Sequence, residues 1–245
     1  MALLSVEHLT RRFGGIVALD DVSFSVSEGQ VVGLIGPNGA GKTTAFNVIT
    51  RLYKPDRGRI SFVGRDLLDV APHQVVRAGI ARTFQNVELF SHMTVLENVL
   101  VGGHTTSEWF HEQDSRQRAL EALGHVGLAE LADHTASGLP FGTLKRIELA
   151  RALVSRPKLL LLDEPAGGLN HEEVQELGDF VARLRDEFDL TVLLVEHHMN
   201  LVMRISQTVH VLDFGRLIAS GTPAEVQANQ AVVEAYLGSE DNAPD

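Results

Sequence analysis

Apolar and polar residues alternate early in the chain and give way to longer periods later. Leu4-Ser5-Val6-Glu7 and Val22-Ser23-Phe24-Ser25-Val26 follow the period of a half-buried strand. Ser27-Glu28-Gly29 is a turn leading into a strand from Gln30 to Ile35. A helix is expected from Gly41 to about Arg51, then a turn at Pro55-Asp56-Arg57-Gly58. Short strands follow at Arg59 to Val63 and Ile80 to Phe84. From Asn86 to Leu153 the pattern becomes helical. Ala119, Leu120 and Leu123 share a face within Ser115 to Leu123, and Leu149, Ala152 and Leu153 mark a helix from Thr143 to Val154.

Leu159 to Leu162 and Thr191 to Val195 are the apolar runs of strands buried on both faces of a parallel sheet. A helix from Glu172 to Arg185 joins them in a right-handed strand-helix-strand unit. Thr208 to Asp213 and Arg216 to Ala219 form a hairpin around Phe214-Gly215. Ala224 to Leu237 closes the chain with a helix, and Ser239 to Asp245 is expected to fray. No internal repeat is visible.

Composition narrows the function. The 245 residues suffice for one large core or a core with a subdomain. A formal net charge of -11 argues against a general nucleic-acid binder, which needs surplus Lys and Arg to neutralise phosphates. The absence of cysteine excludes disulfides, thiolate metal sites and a cysteine nucleophile. The opening MALLSVEHLTRR is too briefly apolar for a signal peptide and meets Glu7 early. No run approaches the roughly 18 apolar residues of a membrane span. Work at a membrane would therefore need another chain to cross it.

Gly36, Gly41, Lys42 and Thr43 fit G-x-x-x-x-G-K-[ST], the phosphate-binding loop, between a strand and a helix. Within it Asn38-Gly39 alone would read as a hairpin turn. Backbone N–H groups at a helix start make a nest for phosphates, and side chains there would block them. Lys42 can reach β- and γ-phosphates, and the Thr43 hydroxyl can ligate Mg²⁺. The strand Leu159 to Leu162 ends in Asp163-Glu164. Ligands bind at such strand ends in open α/β sheets. Asp163 suits a Mg²⁺ shell and Glu164 can orient or deprotonate a water; alone, the pair would equally suit a solvated strand end. His197 follows another buried strand and can contact a γ-phosphate, although a lone histidine there is more often a satisfied polar residue. His197-His198 lacks zinc-ligand spacing.

The order and spacing of these pieces resemble the nucleotide-binding subunit of ABC transporters over essentially the whole chain. The resemblance implies an α/β fold, a P-loop NTPase (RecA-like) core with an antiparallel β subdomain and a helical subdomain. It implies one domain over residues 1–245, with the helical subdomain at about 86–153 and a C-terminal hairpin and helix at about 208–238. By resemblance Phe13 is the aromatic residue that stacks on adenine, and Gly36, Pro37, Asn38, Gly39, Ala40, Gly41, Lys42, Thr43 and Thr44 form the phosphate loop. Gln85 would join the Mg²⁺ or water shell and sense a membrane subunit. Glu164, His197, Gln85 and Lys42 would be catalytic, while Thr43, Gln85 and Asp163 would hold the metal.

The family's signature loop, usually Leu-Ser-Gly-Gly-Gln, corresponds to Leu139-Pro140-Phe141-Gly142-Thr143. Pro140 removes a hydroxyl and an N–H donor, Gly142 is kept, and Thr143 is expected to cap the following helix. By resemblance Gly142 and Thr143 bind ATP held by an opposite subunit, so two copies or two paralogues sandwich two ATPs.

Leu139-Pro140, Phe84 to Phe90, Glu164 to Asn170 and the stretch Gly221 to Gly238 resemble the larger ATPase of branched-chain amino acid importers. His171 stands where that group usually has proline. The implied partners are ATP, two transmembrane permease subunits, a second ATPase subunit and a solute-binding protein, at the cytoplasmic face of the membrane. Other cargoes (amide, urea or lipid) and a soluble nucleotide switch are the alternatives; a small-molecule kinase would lack the Leu139 to Arg151 segment. Val87, Leu89, Phe90, Met93 and Val95 are either a docking surface for the membrane chains or subdomain core.

Overall fold

The computed structural model describes residues 2–104 and 112–237. The chain opens with two twelve-residue strands, β1 (Ala2–Phe13) and β2 (Ile16–Ser27), paired antiparallel. They are longer than their alternating patches because several register shifts interrupt the alternation. Then β3 (Val31–Ile35) crosses to a second sheet and feeds α1 (Lys42–Ile49). Both β4 (Arg57–Phe62) and β5 (Arg65–Asp66) return to the first sheet, giving the order β2-β1-β4-β5.

The next strand, β6 (Ile80–Arg82), stops two residues short of the expected Phe84. Three helices follow: α2 (Val95–Gly103), α3 (Glu112–His125) and α4 (Phe141–Leu153). The remaining elements are β7 (Leu159–Asp163), α5 (His171–Phe188), β8 (Thr191–Val195), α6 (Met199–Ile205), β9 (Thr208–Asp213) and β10 (Arg216–Gly221). The closing helix expected over Ala224 to Leu237 is two helices, α7 (Pro223–Gln227) and α8 (Gln230–Leu237), parted at Ala228-Asn229. The tail expected to fray, Ser239 to Asp245, lies outside the described residues.

The second sheet has the order β10-β9-β3-β8-β7-β6. Its members are parallel except β10, which pairs antiparallel with β9. Strands β3, β7 and β8 are buried at every position, as their apolar runs require. Successive side chains point to opposite faces, so each strand serves two cores. Leu160, Leu162, Val192 and Leu194 join α2 to α5 on one side. Leu159, Leu161, Leu193 and Val195 join α1 and the antiparallel sheet on the other.

Helix starts are set by local chemistry. Thr94, Asn170 and Thr222 cap α2, α5 and α7, each with a glutamate three residues on completing a capping box. In α4 the expected cap is corrected: the helix begins at Phe141, Pro140 occupies the cap position, and Thr143 lies inside the first turn. Among the described residues no side chain caps α4, so its first N–H groups keep their donor capacity.

Candidate active site

Register brings the carboxyl ends of β3, β6, β7 and β8 together: Leu34 and Asp163 both pair with Val195, and Arg82 with Leu161. The loop from β3 to α1 wraps across this end. Gly36, at φ 152, has no room for a side chain, since a Cβ would lie 2.0 Å from the Leu212 carbonyl oxygen. Gly41, at φ 103, starts α1, and its Cβ would meet the Ala18 carbonyl at 2.5 Å. Between them Pro37, Asn38, Gly39 and Ala40 turn, closed by the Ala40 N–H donating to the Pro37 carbonyl at 3.2 Å. Behind the loop, the hydroxyl of Tyr236 on α8 meets the Gly36 backbone, and burial pushes its pKa up to about 12.

Lys42 is the first residue of α1 and is buried. Its ammonium donates to the Gly36 carbonyl at 2.6 Å and the Pro37 carbonyl at 2.9 Å, so it rests on its own loop. Burial lowers its pKa, opposed by the charges of Glu164 and Asp163. Thr43 is exposed at the same helix start and Thr44 half-buried.

Asp163 ends β7 with its side chain 4% exposed. Its Oδ2 lies 2.6 Å from Nη2 of Arg82, which also donates to Asn47 Oδ1 at 2.7 Å. Arg82 was not a candidate from sequence. The only signal was an arginine three residues before Gln85.

Glu164 adopts a left-handed backbone, φ 48, of order 1 kcal/mol unfavourable for a side-chain-bearing residue. Its N–H donates to the Val195 carbonyl at 2.9 Å, which fixes the turn. One carboxylate oxygen lies 2.6 Å from His197 Nε2, and the other accepts from Gln85 Nε2 at 2.7 Å. Three of the four catalytic candidates thus meet at one carboxylate.

The neighbouring Glu196 is 1% exposed and was also missed. It accepts from the N–H groups of Ala166 at 2.6 Å, His197 at 2.8 Å and His198 at 3.1 Å. It thereby ties the turn after Glu164 to the turn carrying His197.

Phe13 ends β1, and its ring meets Tyr53 edge-on with centroids 5.2 Å apart. The Arg11 guanidinium stands 4.6 Å from the Phe13 centroid. Over a third of Phe13 stays exposed, leaving surface for a flat ligand.

Gly142 and Thr143 sit apart, in the first turn of α4. Here Phe141 packs on Gly168: a methyl group on that glycine would approach the ring to 3.1 Å. Among the described residues no hydrogen bond joins Pro140–Thr143 to Gly36–Thr44. A cleft of about 790 Å³ opens beside this turn, lined by Gly142, Thr143, Lys145 and Glu148 of α4 and Glu173 and Arg183 of α5. The phosphate loop does not line it.

The metal candidates offer a hydroxyl, an amide and one carboxylate. Among the described residues no group of three His, Cys, Asp or Glu could hold a metal. Few, hard oxygen donors beside a phosphate site suit Mg²⁺, which keeps waters and takes phosphate oxygens rather than filling an all-protein cage.

Breaking a phosphoanhydride bond is the chemistry this crevice can perform, which makes the protein an ATPase of the phosphate-loop class. A family model described as ABC transporter matches residues 19–167, and one described as branched-chain amino acid ATP-binding cassette transporter matches residues 216–242. The high-affinity branched-chain amino acid transport ATP-binding protein LivG of Salmonella typhimurium is 44% identical, with 96% of this chain and 98% of that protein covered. BraF of Pseudomonas aeruginosa, described in the same words, is 43% identical at the same coverage.

Among solved structures, an ATP-binding cassette of an ABC transporter in its ADP conformation superposes with a TM-score of 0.89 at 34% identity, over 97% of this chain and 99% of that one. A nucleotide-free cassette gives 0.88 at 33%, over 96% and 99%. The chain belongs to the ABC transporter family and is its ATP-hydrolysing subunit.

Proposed function

We propose that this chain powers uptake of branched-chain amino acids, as a peripheral ATPase on the cytoplasmic face of a membrane. It would bind two permease chains that cross the bilayer, a second ATPase subunit, and through them a solute-binding protein. The names of relatives covering nearly the whole chain support the cargo, as does the match at residues 216–242. No described helix is long and apolar enough to cross a membrane, which agrees with a need for separate spanning chains. Phe90 is 51% exposed while Val95 is fully buried, so the segment expected to meet the permease divides between surface and core.

In this reading the chain is one nucleotide-binding domain, with residues 86–153 as its helical subdomain and 208–238 as its C-terminal hairpin and helices. Adenine stacks on Phe13, and the phosphates lie in the N–H nest from Gly36 to Thr44. Lys42 exchanges its loop carbonyls for β- and γ-phosphate oxygens. Thr43, Gln85 and Asp163 would hold Mg²⁺, which when bound offsets charge on those phosphates. Glu164 orients and deprotonates the attacking water, and His197 holds Glu164 and reaches the γ-phosphate. Gly142 and Thr143 present the uncapped start of α4 to ATP on the other subunit.

ATP then bridges two subunits and favours the closed pair by differential binding. Hydrolysis removes the bridge and the pair parts. The observation that carries the catalytic reading is the Glu164 carboxylate held from both sides by Gln85 and His197.

The test is to co-purify the chain with its spanning partners from membranes and reconstitute them in vesicles with ATP inside the ATPase compartment. ATP-dependent uptake of leucine, isoleucine and valine is expected. ATP-dependent uptake of another solute alone would reject the cargo, and ATP hydrolysis with no spanning partner retained would reject the transporter role.

A further inference from the structure

Lys145, Glu148 and Arg151 stand three residues apart on one face of α4. All three turn toward the segment that carries Gln85. Lys145 Nζ donates to the Gln85 carbonyl at 2.7 Å and lies 3.4 Å from the Phe84 carbonyl. Arg151 Nη1 donates to the Glu88 carbonyl. Glu148 lies between the two cations, 3.9 Å from Lys145 and 3.6 Å from Arg151.

The Glu148 side chain is 1% exposed and faces the backbone of Phe84 and Glu88, although among the described residues no hydrogen bond of full geometry closes on either carboxylate oxygen. Burial raises its pKa against the pull of Lys145, Arg151 and the backbone of Glu88 and Phe84. A carboxylate buried with long ion pairs and imperfect backbone contacts is a poor stabiliser, and an apolar side chain would serve packing better. What Glu148 supplies is a fixed charge that holds two cations in place over a loop. Those cations grip carbonyls at both ends of residues 84–88. The Gln85 side chain then bonds Glu164. At the other end, Lys145 stands 5.6 Å from the centroid of the Phe141 ring, in the turn that carries Gly142.

We propose that Glu148 is a positioning residue: through Lys145 and Arg151 it latches the Phe84–Glu88 backbone to α4, so that engagement of the α4 start by the other subunit's nucleotide is delivered to Gln85 and Glu164. The latch rests on the paired reading given above. It makes hydrolysis at one phosphate loop depend on closure at the neighbouring α4, through backbone contacts rather than side-chain chemistry.

The experiment compares Glu148→Gln and Glu148→Leu with the parent chain, with and without ATP and Mg²⁺. Four quantities are read: kcat, KM for ATP, melting temperature, and hydrogen exchange of amides 84–90. The latch requires kcat to fall on the order of ten- to a hundredfold, as expected for a displaced catalytic group, with KM unchanged. It also requires ATP-dependent protection of amides 84–90 to disappear while α4 itself stays protected. Conservative Lys145→Arg, which keeps the cation, is expected to retain most of kcat where Lys145→Gln does not.

Unchanged kcat in both Glu148 variants would overturn the latch. So would a loss of kcat matched by loss of ATP binding and of melting temperature, since that describes a folding defect. A Glu164→Gln chain serves as the control for pairing. If it fails to pair in ATP, the paired reading falls and the latch with it; if it pairs while the Glu148 variants turn over normally, only the latch falls.

Discussion

The crevice at the ends of β3, β7 and β8 and the first turn of α4 are both proposed to meet a nucleotide, but only the crevice has its charged groups partnered within one chain. In the crevice Lys42 rests on its own loop, Asp163 on Arg82, and Glu164 on Gln85 and His197. Each charged group already has a partner that ligand binding can replace or recruit. At α4 the opposite holds. Its cap position is Pro140, and among the described residues no side chain bonds its first N–H groups and the chain's own phosphate loop makes no hydrogen bond to it. In the proposed reading one region is a preorganised site, and the other is half of a site whose remainder lies on another molecule. An ATPase divided in this way would respond to assembly, because neither half alone would enclose the phosphates.

Four substitutions sharpen or break that contrast. The largest effect is expected from Arg82→Met, which leaves Asp163 buried without its cation. Stability should fall by about 3–5 kcal/mol, read from chemical denaturation. A loss under about 1 kcal/mol would mean that the crevice does not depend on this pair.

Next, Lys42→Ala should weaken ATP binding by about 1.5–3 kcal/mol by calorimetry, the range for a hydrogen bond to a charged group. Unchanged affinity would contradict the phosphate-loop assignment.

Gly142→Asp probes the other half. A Cβ there meets only Glu173 at 3.7 Å and Leu169 at 4.0 Å, so the fold has room for it. The added carboxylate should repel a facing phosphate, lowering turnover about tenfold, or about 1.4 kcal/mol, while single-chain ATP affinity stays put. Loss of that affinity would erase the distinction between the two regions.

The smallest effect concerns pH. His210 bridges Ser25 and Ser220 behind the crevice, and burial lowers its pKa below 6.5. The unfolded chain therefore takes up a proton first as pH falls. Stability is full above about pH 6.5 and is lost below it, by at most about 1.4 kcal/mol per pH unit. His210→Gln should flatten this slope in urea melts, whereas Gly142→Asp should leave it unchanged.

What sequence revealed follows the same division. The phosphate loop is legible because its glycines, lysine and threonine are contiguous and act largely through their own backbone. The runs Leu159 to Leu162 and Val192 to Val195 are legible because burial on both faces leaves no polar position within them, so Asp163-Glu164 and His197 stand out at or just past their ends. Arg82 and Glu196 were not legible, since their partners depend on strand register and on turns that bring residues 30 to 81 positions apart together. The start of α4 was displaced by two residues because Thr143 looks like a cap, while Pro140, in extended geometry, already launches the helix. The break at Ala228-Asn229 was hidden because apolar spacing continues across it, with Val226 and Val232 both buried.

The most direct test of the divided site uses Glu164→Gln, which keeps the carboxylate's shape but removes its basicity. With ATP and Mg²⁺ this chain should bind nucleotide and run at twice the single-chain mass by light scattering, with hydrolysis reduced about 10²- to 10⁴-fold. A single-chain mass under those conditions, beside normal turnover by the unsubstituted protein, would contradict the account.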